Sequence, residues 1–440
     1  MSFPRYPSYK PSGVEWLGDV PAHWGVAGVG YRYEVALGKM LDEKRITGRH
    51  LAPYLKNSDV QWDSINLVDL REMDFDEGDR ERYSLRIGDL LVCEGGEVGR
   101  CAVWDGSLAE CYYQKALHRL RPWDPAQDSP LFLRYVLRAA SDGGAFASGE
   151  SKATIAHLPA EALRRYRFPF PPTSEQTDIA AFLDRETAKI DALVAEQERL
   201  IELLKEKRQA VISYAVTKGM NPDSPMKPSG VEWLGDVPAH WSILAIKWLS
   251  PVKRGASPRP IEDPRYFDDD GEFAWVRILD VSASDGVLRG TEQRLSTLGS
   301  SLSVKVGAGD LFVSIAGTVG KPCISAIKAC IHDGFVYFPR LRVDPRFMYR
   351  IFESGLCYGG LGKWGTQLNL NTDTVGAIRI AVPPPDELAL VVAHIDRETA
   401  ALDLLSREAH SVIALLQTRR SALVSAAVTG QIDVRGLKLG

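Results

Sequence analysis

The fifteen residues KPSGVEWLGDVPAHW occur twice in this chain, at 10–24 and again at 227–241. Fifteen consecutive matches do not arise by chance in a chain of 440 residues, so the chain contains two copies of one structural unit. This duplication constrains the fold more than any other feature, because each copy must form the same local structure in its own surroundings.

Three further segments repeat in the same order after the opening block. The matched pairs are GDLLVCEGGEVGRCAVW (88–104) with GDLFVSIAGTVGKPCIS (309–325), FLDRETAKIDAL (182–193) with HIDRETAALDLL (394–405), and YAVTKG (214–219) with AAVTG (426–430). Between the opening block and the third segment, the copies diverge almost everywhere outside the second segment. A constant frame with different contents indicates one task performed on two different targets.

The first 150 or so residues of each copy mix short apolar runs with helical stretches. Gly, Asp and Pro punctuate runs such as GDLLVC and FVYFPRLRV, which predicts strands joined by turns. The segments at 129–141 and 344–356 have the pattern of helices. This mixture is typical of an α+β fold rather than of regular βαβ units.

Each copy then ends in a long run without Pro or Gly, Ser174–Thr217 in the first and Asp386–Thr429 in the second. Prolines precede both runs, and Gly219 and Gly430 follow them, as expected at the start and the C-terminal cap of a helix. Each run could form one helix of roughly 65 Å at about 1.5 Å per residue.

Apolar residues recur along both runs with a seven-residue period, which is typical of a coiled coil. The predicted seam comprises Ile190, Leu193, Leu200, Leu204 and Val211 in the first helix, and Leu402, Leu405, Val412, Leu416 and Leu423 in the second. Two duplicate helices of one chain can pair antiparallel, with a globular domain at each end and a pseudo-two-fold relation between the copies. The alternative is that each helix folds back on its own domain.

Composition is ordinary for a globular protein, with 45% hydrophobic and 25% charged residues. No run of eighteen apolar residues and no apolar leader is present, and the six cysteines form neither a CxxC pair nor a zinc pattern. We therefore expect reduced thiols, no metal site and a cytoplasmic location. The net charge of −4 argues mildly against a simple nucleic-acid binder, unless basic residues gather on one face.

No catalytic constellation is found in the sequence. The segment at 314–322 is not a phosphate-binding loop, because Ile315 stands where a Gly is required and Pro322 where a Ser or Thr is required. A glycine-rich turn between two strands is the better interpretation. His23 and His240 lie in the repeated PAHW, which favours a structural clasp or a docking surface over an active site.

The order of these motifs resembles the specificity subunit of type I restriction-modification systems (the HsdS family). The resemblance covers essentially the full length and depends on four features that occur twice: the PSGVEWLGDVPAHW opening, the GDLL or GDLF turn, the helix entry after consecutive prolines, and the helix ending AVTKG or AVTG. It implies two target recognition domains, each reading one half of an asymmetric bipartite DNA site, with the long helices as an antiparallel spacer.

The same resemblance implies the partners and the division of labour. The chain would have no catalytic activity and would recruit two methyltransferase subunits and, for cleavage, restriction subunits. S-adenosylmethionine, ATP and Mg²⁺ would be bound by those partners, and none by this chain. The domains would be a first recognition domain at 1–172, a first spacer helix at 173–219, a second recognition domain at 220–384, and a second spacer helix with its tail at 385–440.

Candidate DNA-contacting residues follow from residue type and position in the divergent loops. Arg and Lys suit phosphates and guanine edges, whereas Asn and Gln suit adenine edges. The candidates are Lys39, Lys44, Arg45, Arg49, Lys56, Asn57, Gln114 and Lys152 in the first domain, and Lys253, Arg254, Arg259, Arg277, Lys363, Gln367 and Asn369 in the second. For any single residue, a solvated loop position is the competing interpretation.

Two other classes of protein stay open on the sequence. A duplicated enzyme with an unrecognised site would methylate or cleave DNA alone. A coiled-coil scaffold that binds only protein would show no DNA preference even with its partners.

Overall fold

The computed structural model describes residues 3–40, 47–146, 157–359, 361 and 370–437. The chain divides into two compact units: the first comprises Met1–Gln197 with Ser411–Gly440, and the second comprises Glu198–His410. Each unit therefore contains one copy of the opening block together with one end of each long helix. Both units combine sheets with helices, and the predicted α+β class is confirmed.

The elements of the first half are short strands, three short helices and the first long helix. The strands are β1 Tyr9–Pro11, β2 Asp19–Pro21, β3 Gly25–Gly28, β4 Tyr33–Leu37, β5 Leu51–Leu55, β6 Val60–Gln61, β7 Ser64–Ile65, β8 Arg71–Asp74, β9 Leu90–Cys93, β10 Cys101–Val103, β11 Tyr112–Tyr113, β12 Leu117–Pro122 and β13 Arg167–Phe170. The helices are α1 Glu77–Tyr83, α2 Pro130–Asp142, α3 Ala160–Arg165 and α4 Thr173–Lys218.

The second half repeats this plan with local differences. The strands are β14 Met226–Pro228, β15 Asp236–Pro238, β16 Ser242–Ala245, β17 Lys253–Arg254, β18 Phe273–Val276, β19 Val287–Leu288, β20 Arg294–Leu295, β21 Val304–Val306, β22 Leu311–Ser314, β23 Pro322–Ser325, β24 Ala329–Ile331, β25 Phe335–Tyr337 and β26 Arg379–Val382. The helices are α5 Ile246–Leu249, α6 Ile278–Ala283, α7 Thr297–Ser301, α8 Pro345–Ser354, α9 Thr372–Ala377 and α10 Pro385–Val428.

Two sheets form the centre of each globular part. In the first unit, an antiparallel sheet of order β10-β9-β12-β4 lies beside a sheet of order β11-β5-β8, in which β11 and β5 are parallel. In the second, the corresponding orders are β17-β25-β22-β23-β19 and β20-β18-β24-β21, with two parallel pairs, β18 with β24 and β19 with β23. The divergent sequences therefore keep a common core of seven strands, to which the second unit adds β19 and β21.

The second repeated segment forms the turn between β9 and β10, and between β22 and β23. Gly99 and Gly320 take left-handed φ values of 83° and 86° in these turns. A Cβ on Gly320 would lie 2.9 Å from the Tyr358 ring, which excludes a side chain there. The Lys321 ammonium donates to two backbone carbonyls, so the predicted glycine-rich turn is confirmed and this lysine serves the fold.

Both predicted long helices are present as α4 and α10, and each ends at a glycine. Gly219 and Gly430 have φ values of 72° and 74°. A Cβ on Gly430 would lie 2.3 Å from Pro21 and 3.2 Å from the buried Trp24 ring, and a Cβ on Gly219 would lie 3.1 Å from the Trp241 ring. The end of each helix thus packs directly on a copy of the repeated block.

The long helices pair antiparallel inside each unit. In the first unit, Ile179 and Leu183 near the start of α4 share a core with Val424 and Ala427 near the end of α10. In the second, the reverse holds, because residues near the end of α4 share a core with residues near the start of α10. The alternative that each helix folds back on its own domain is wrong, since the two ends of α4 belong to different units.

The predicted seam is correct at one heptad position and wrong at the other. Ile190, Leu204 and Leu402 are buried, and Val211, Leu416 and Leu423 are partly buried. Leu193, Leu200, Leu405 and Val412 are instead 52%, 41%, 47% and 40% exposed. The positions one residue later turn inward, including the buried Ile201 and the partly buried Val194, Ser406 and Ile413.

The repeated DRET segment joins each long helix to the globular part of its unit. Asp184 accepts hydrogen bonds from Arg134 at 2.5 Å and from the Tyr135 hydroxyl at 2.7 Å. Its equivalent Asp396 accepts from Arg350 at 2.6 Å. These donors lie on the predicted helices α2 and α8, so the repeated carboxylate anchors a helix in each unit.

Among the residues that the structure describes, no helix is long and apolar enough to cross a membrane.

Candidate nucleic-acid interface

Three strand ends bring several first-domain candidates together. Lys39 follows β4 and forms a parallel bridge with Gln114, which follows β11. The Gln114 backbone N–H donates to the carbonyl of Leu55 at the end of β5, next to Lys56. Lys115, exposed and not singled out from the sequence, bonds the backbone of Lys39. The resulting rim carries three ammonium groups and one amide.

Most of these cations already have an acidic partner. The Lys39 ammonium lies 2.5 Å from Asp79 and 5.0 Å from the Phe75 ring centroid, and the Lys56 ammonium lies 3.6 Å from Asp59. Both lysine side chains remain about a quarter exposed, at 24% and 28%. A phosphate that binds either lysine would therefore compete with a carboxylate already in place.

Asn57 has a structural role in the described fold. Its amide donates to the carbonyls of Gly95 at 3.0 Å and Ala116 at 3.4 Å, and its Oδ1 accepts from Arg100 at 2.9 Å. These bonds hold the glycine-rich turn after β9 against the β5 end. An adenine edge could pair with the Asn57 amide only by displacing these hydrogen bonds.

Arg49 is exposed in a loop that wraps around the carboxylate of Asp74. Asp74 accepts from the backbone N–H of His50 at 2.8 Å and of Gly48 at 2.9 Å, and these bonds, led by that of His50, lower its pKa to about 2. The Lys39 ammonium contacts the carbonyl of Asp74. Arg49 therefore belongs to the neighbourhood of the rim and extends into solvent from it.

Six candidates lie outside the described residues. They are Lys44, Arg45, Lys152, Lys363, Gln367 and Asn369.

The second unit contains an open cleft of about 1040 Å³ between the loop after β17 and the strands β18 and β20. Two of the sequence candidates, Arg259 and Arg277, line it. Trp275, Gln293 and His332 also line it and were not predicted. The cleft combines guanidinium groups, an amide and an aromatic ring, which are the groups that contact phosphates and base edges.

Asp333 organises the basic side of this cleft. It accepts from Arg259 at 2.8 Å and from the Ser257 hydroxyl at 3.1 Å, and Arg254 donates to its carbonyl. Burial alone would raise the pKa of Asp333, but Ser257 and the two guanidinium groups outweigh it and lower that pKa. Arg259 remains 77% exposed and is thereby held at the mouth of the cleft by a charged partner.

His332 supplies a neutral donor to the cleft. Burial lowers its pKa, and its Nδ1 accepts from the Gly334 N–H at 2.8 Å. The proton of the neutral ring therefore lies on Nε2. The ring lies 6.0 Å from that of Trp275.

Arg277 lines the cleft, whereas Lys253 is not among the residues that line it. Arg277 pairs with Glu292 at 2.6 Å and with Asp280 at 3.3 Å, on the lip opposite Arg259. Lys253 is exposed on the short strand β17. Gln293 is exposed beside Arg277, and a search for amides flanking each predicted strand would have found it from the segment RGTEQR. His332 carries no such sequence signal.

Both units expose apolar side chains at equivalent positions of the long helices. In the first unit, Val412 and Leu415 are 40% and 70% exposed, and in the second, Leu200 and Leu203 are 41% and 53% exposed. Each pair has i, i+3 spacing and so occupies one helix face. We call these the outward pairs. Leu193 and Leu405, assigned to the seam from the sequence, are likewise exposed at equivalent positions.

Across the described ranges, no group of three or more His, Cys, Asp or Glu side chains could hold a metal ion. Cys93, Cys101, Cys111, Cys323, Cys330 and Cys357 are all buried free thiols.

The comparisons with known proteins agree with this geometry. Residues 34–203 match the family model described as the type I restriction modification DNA specificity domain. The chain is 22% identical to the type I restriction enzyme EcoBI specificity subunit of Escherichia coli over 301 residues, or 65% of this chain and 62% of that subunit. The resemblance inferred from the repeated motifs is confirmed.

A second relative and two solved structures extend the comparison. The MjaVIII specificity subunit of Methanocaldococcus jannaschii is 26% identical over 35% of each chain, so the aligned parts span less than two thirds of either curated relative. A structure from a study of complex assembly and conformational transition in the type I R-M system has a TM-score of 0.74 at 15% identity, covering 93% of this chain and 98% of that chain. The HsdS subunit of Thermoanaerobacter tengcongensis has a TM-score of 0.56, covering 94% and 98%. At this identity, the likeness shows the fold.

Proposed function

We propose that this chain is the non-catalytic sequence-specificity subunit of a type I restriction-modification complex. The observation that carries the proposal is a duplicated frame holding two different polar surfaces: the rim around Lys39, Lys56 and Gln114 in the first unit, and the cleft between Arg259 and Arg277 in the second. Because the surfaces differ, the two halves of the recognised DNA site differ as well.

The recognition domains of this proposal are 1–172 and 220–384, and the spacer segments are 173–219 and 385–440. In the second domain, Arg259 and Lys253 would contact phosphates, since both extend into solvent. Gln293 and His332 would contact base edges, because an amide and a neutral imidazole N–H are placed side by side with Trp275 in one concave surface.

The outward pairs support recruitment of two methyltransferase subunits. Val412 with Leu415, and Leu200 with Leu203, present the same apolar chemistry at equivalent positions of each unit. Such repeated exposed leucines are costly in water unless a partner covers them. Restriction subunits would join for cleavage, and S-adenosylmethionine, ATP and Mg²⁺ would be bound by the partners in the cytoplasm.

Methylome sequencing tests the proposal directly. Cells would express this chain together with its neighbouring methyltransferase subunit, and control cells would express that subunit alone. The expected result is one asymmetric bipartite adenine-methylated motif that disappears in the control. A stable complex that adds no methylation would favour a protein-binding scaffold, whereas methylation by this chain alone would favour a duplicated enzyme.

A further inference from the structure

Four donors surround the carboxylate of Glu175 in the first unit. Trp24 Nε1 donates to Oε2 at 2.9 Å and the Tyr6 hydroxyl at 3.2 Å, while His23 Nε2 lies 2.7 Å from Oε1 and Arg435 Nη1 lies 3.3 Å from it. The Glu175 side chain is only 7% exposed. The repeated PAHW block thus forms a closed polar site with the start of α4.

Arg435 closes this site from the tail that follows α10. Its guanidinium is held by Asp433 at 2.8 Å and lies 4.7 Å from the Tyr6 ring centroid. The hydrogen bond that Arg435 donates to Asp433 raises the pKa of Arg435, so the guanidinium stays charged. Arg435 therefore covers the site formed by the Glu175 carboxylate, the His23 imidazole and the Trp24 indole.

The equivalent site of the second unit lacks this cover. Glu387 takes the place of Glu175, and its Oε2 lies 2.6 Å from His240 Nε2. The indole Nε1 of Trp241 is buried without a hydrogen-bond partner. Ser224 stands five residues after Gly219, where Arg435 stands five residues after Gly430. The Glu387 side chain is consequently 27% exposed, against 7% for Glu175.

An open cavity of about 520 Å³ lies at this position. Its lining residues are Met220, Asn221, Pro222, Ser224, His240 and Glu387. The nearest cations of the second unit are engaged elsewhere, since Lys218 donates to the carbonyls of Leu234 and Asp236 and Lys227 donates to the carbonyl of Trp241. Among the described residues, His240 is thus the partner of the Glu387 carboxylate, and neither lysine nor arginine contacts it.

We propose that this cavity binds a guanidinium side chain of the methyltransferase subunit, in the place that Arg435 fills within the first unit. The identity of the partner rests on the proposed function, whereas the ligand chemistry rests on the internal repeat. A planar guanidinium can bond the carboxylate with two parallel N–H groups. The two methyltransferase sites are then unequal. The first unit fills its site with its own Arg435, and the second unit receives an arginine from the methyltransferase subunit.

Two variants of this chain test the proposal in binding assays with the purified methyltransferase subunit. Ser224→Arg supplies the missing cation internally, and Glu387→Gln removes the charge that attracts it. Each should weaken one of the two binding events by about tenfold or more and leave the other unchanged. Ser224→Ala is the matched control and should bind as the unmodified chain does.

A small-molecule titration tests the cavity without the partner. N-acetyl-arginine amide should shift the indole N–H resonance of Trp241 in a saturable way, and the uncharged analogue N-acetyl-citrulline amide should not. Glu387→Gln should abolish the shift.

The outcomes separate the two proposals. If the methyltransferase subunit does not bind the unmodified chain at all, the proposed function and the choice of partner both fail, whatever the titration shows. If it binds the unmodified chain, Ser224→Arg and Glu387→Gln with equal affinity at both sites, the function stands and this inference is overturned. A citrulline response equal to the arginine response would refute guanidinium recognition.

Discussion

Arg420 holds Asp191 within the first unit, with 3.0 Å between Nε and Oδ1. Arg208, at the equivalent position of the other long helix, holds Asp403 at 2.9 Å within the second unit. The same ion pair thus recurs at the same heptad position of both antiparallel pairings. Polar groups at such positions specify which register and orientation two helices adopt, in addition to any effect on stability.

Replacing Arg420 by Met should lower the free energy of unfolding by about 1 kcal/mol, because Asp191 loses its partner and Asp63 keeps only Arg134. Thermal unfolding in 0.1 M and 1 M NaCl measures this, and the loss should shrink at high salt through screening. Arg419→Met is the control, since Arg419 is exposed on the neighbouring position. An equal loss in both variants would assign the effect to the helix surface rather than to the ion pair.

Substitutions in the cleft of the second unit should distinguish residues that contact phosphates from residues that contact base edges. Arg259→Ala should weaken binding to all DNA sequences alike and lower the salt slope by about 1, whereas Gln293→Ala should relax one base position by about 1–3 kcal/mol. Electrophoretic binding of the assembled complex to permuted sites measures both. Arg289→Ala, which removes an exposed arginine paired with Asp285, is the matched control. Loss of discrimination with Arg289→Ala would count against the cleft.

The outward pairs should determine how many methyltransferase subunits bind. Leu203→Asp should abolish one binding event and Leu415→Asp the other, because a charge would be buried without a partner. Neither should change the unfolding temperature, since both side chains are exposed. Native mass spectrometry counts the subunits. Leu390→Asp, at a 60% exposed leucine outside the pairs, should retain both subunits; losing one there would contradict the assignment.

Folding stability should fall on acidification through His118. Its ring is fully buried, Nε2 lies 2.7 Å from the Leu158 carbonyl oxygen, and burial lowers its pKa from the ordinary value of 6.5. His118 therefore binds a proton in the unfolded chain at pH values at which it stays neutral in the folded chain. Stability is therefore full above the unfolded pKa of about 6.5 and declines as pH drops below it toward the lower folded pKa.

Chemical denaturation from pH 5 to 7.5 would show this slope. His118→Gln, which keeps an N–H for the Leu158 carbonyl, should be less stable at pH 7.5 yet show a flatter dependence on pH. An unchanged slope in the variant would place the titration at another group.

The sequence predicted the features that depend on local patterns. The repeats, both long helices and their glycine caps follow from residue spacing alone, as at Gly219 and Gly430. The seam was shifted because apolar residues stand at two adjacent positions of the heptad, so that Val194 and Ile201 follow Leu193 and Leu200 with the same period and turn inward instead. Heptad counting also ignores ion pairs such as that of Arg208 with Asp403 along the same helices.

The cleft could be predicted only in part. Arg259 and Arg277 stand out as cations in one divergent loop region, but Trp275, Gln293 and His332 meet there only because β18, β20 and β24 are neighbours in one sheet. No spacing rule in a single sequence gives that adjacency. The contact of Arg435 with Glu175 is similarly hidden, since 260 residues separate the two along the chain.

The sharing of the long helices between units also sets an order of events on the ribosome. The first unit contains Met1–Gln197 but also needs Ser411–Gly440, whose Gly430 carbonyl accepts a hydrogen bond from the Tyr9 hydroxyl. At about 5–20 residues per second, the nascent first domain would wait roughly 10–50 s for the segment that completes it. During that interval the apolar face of α4 around Ile179 and Leu183 lacks the end of α10 that packs on it, so we expect the first unit to complete its core only after the last segment of the chain is made.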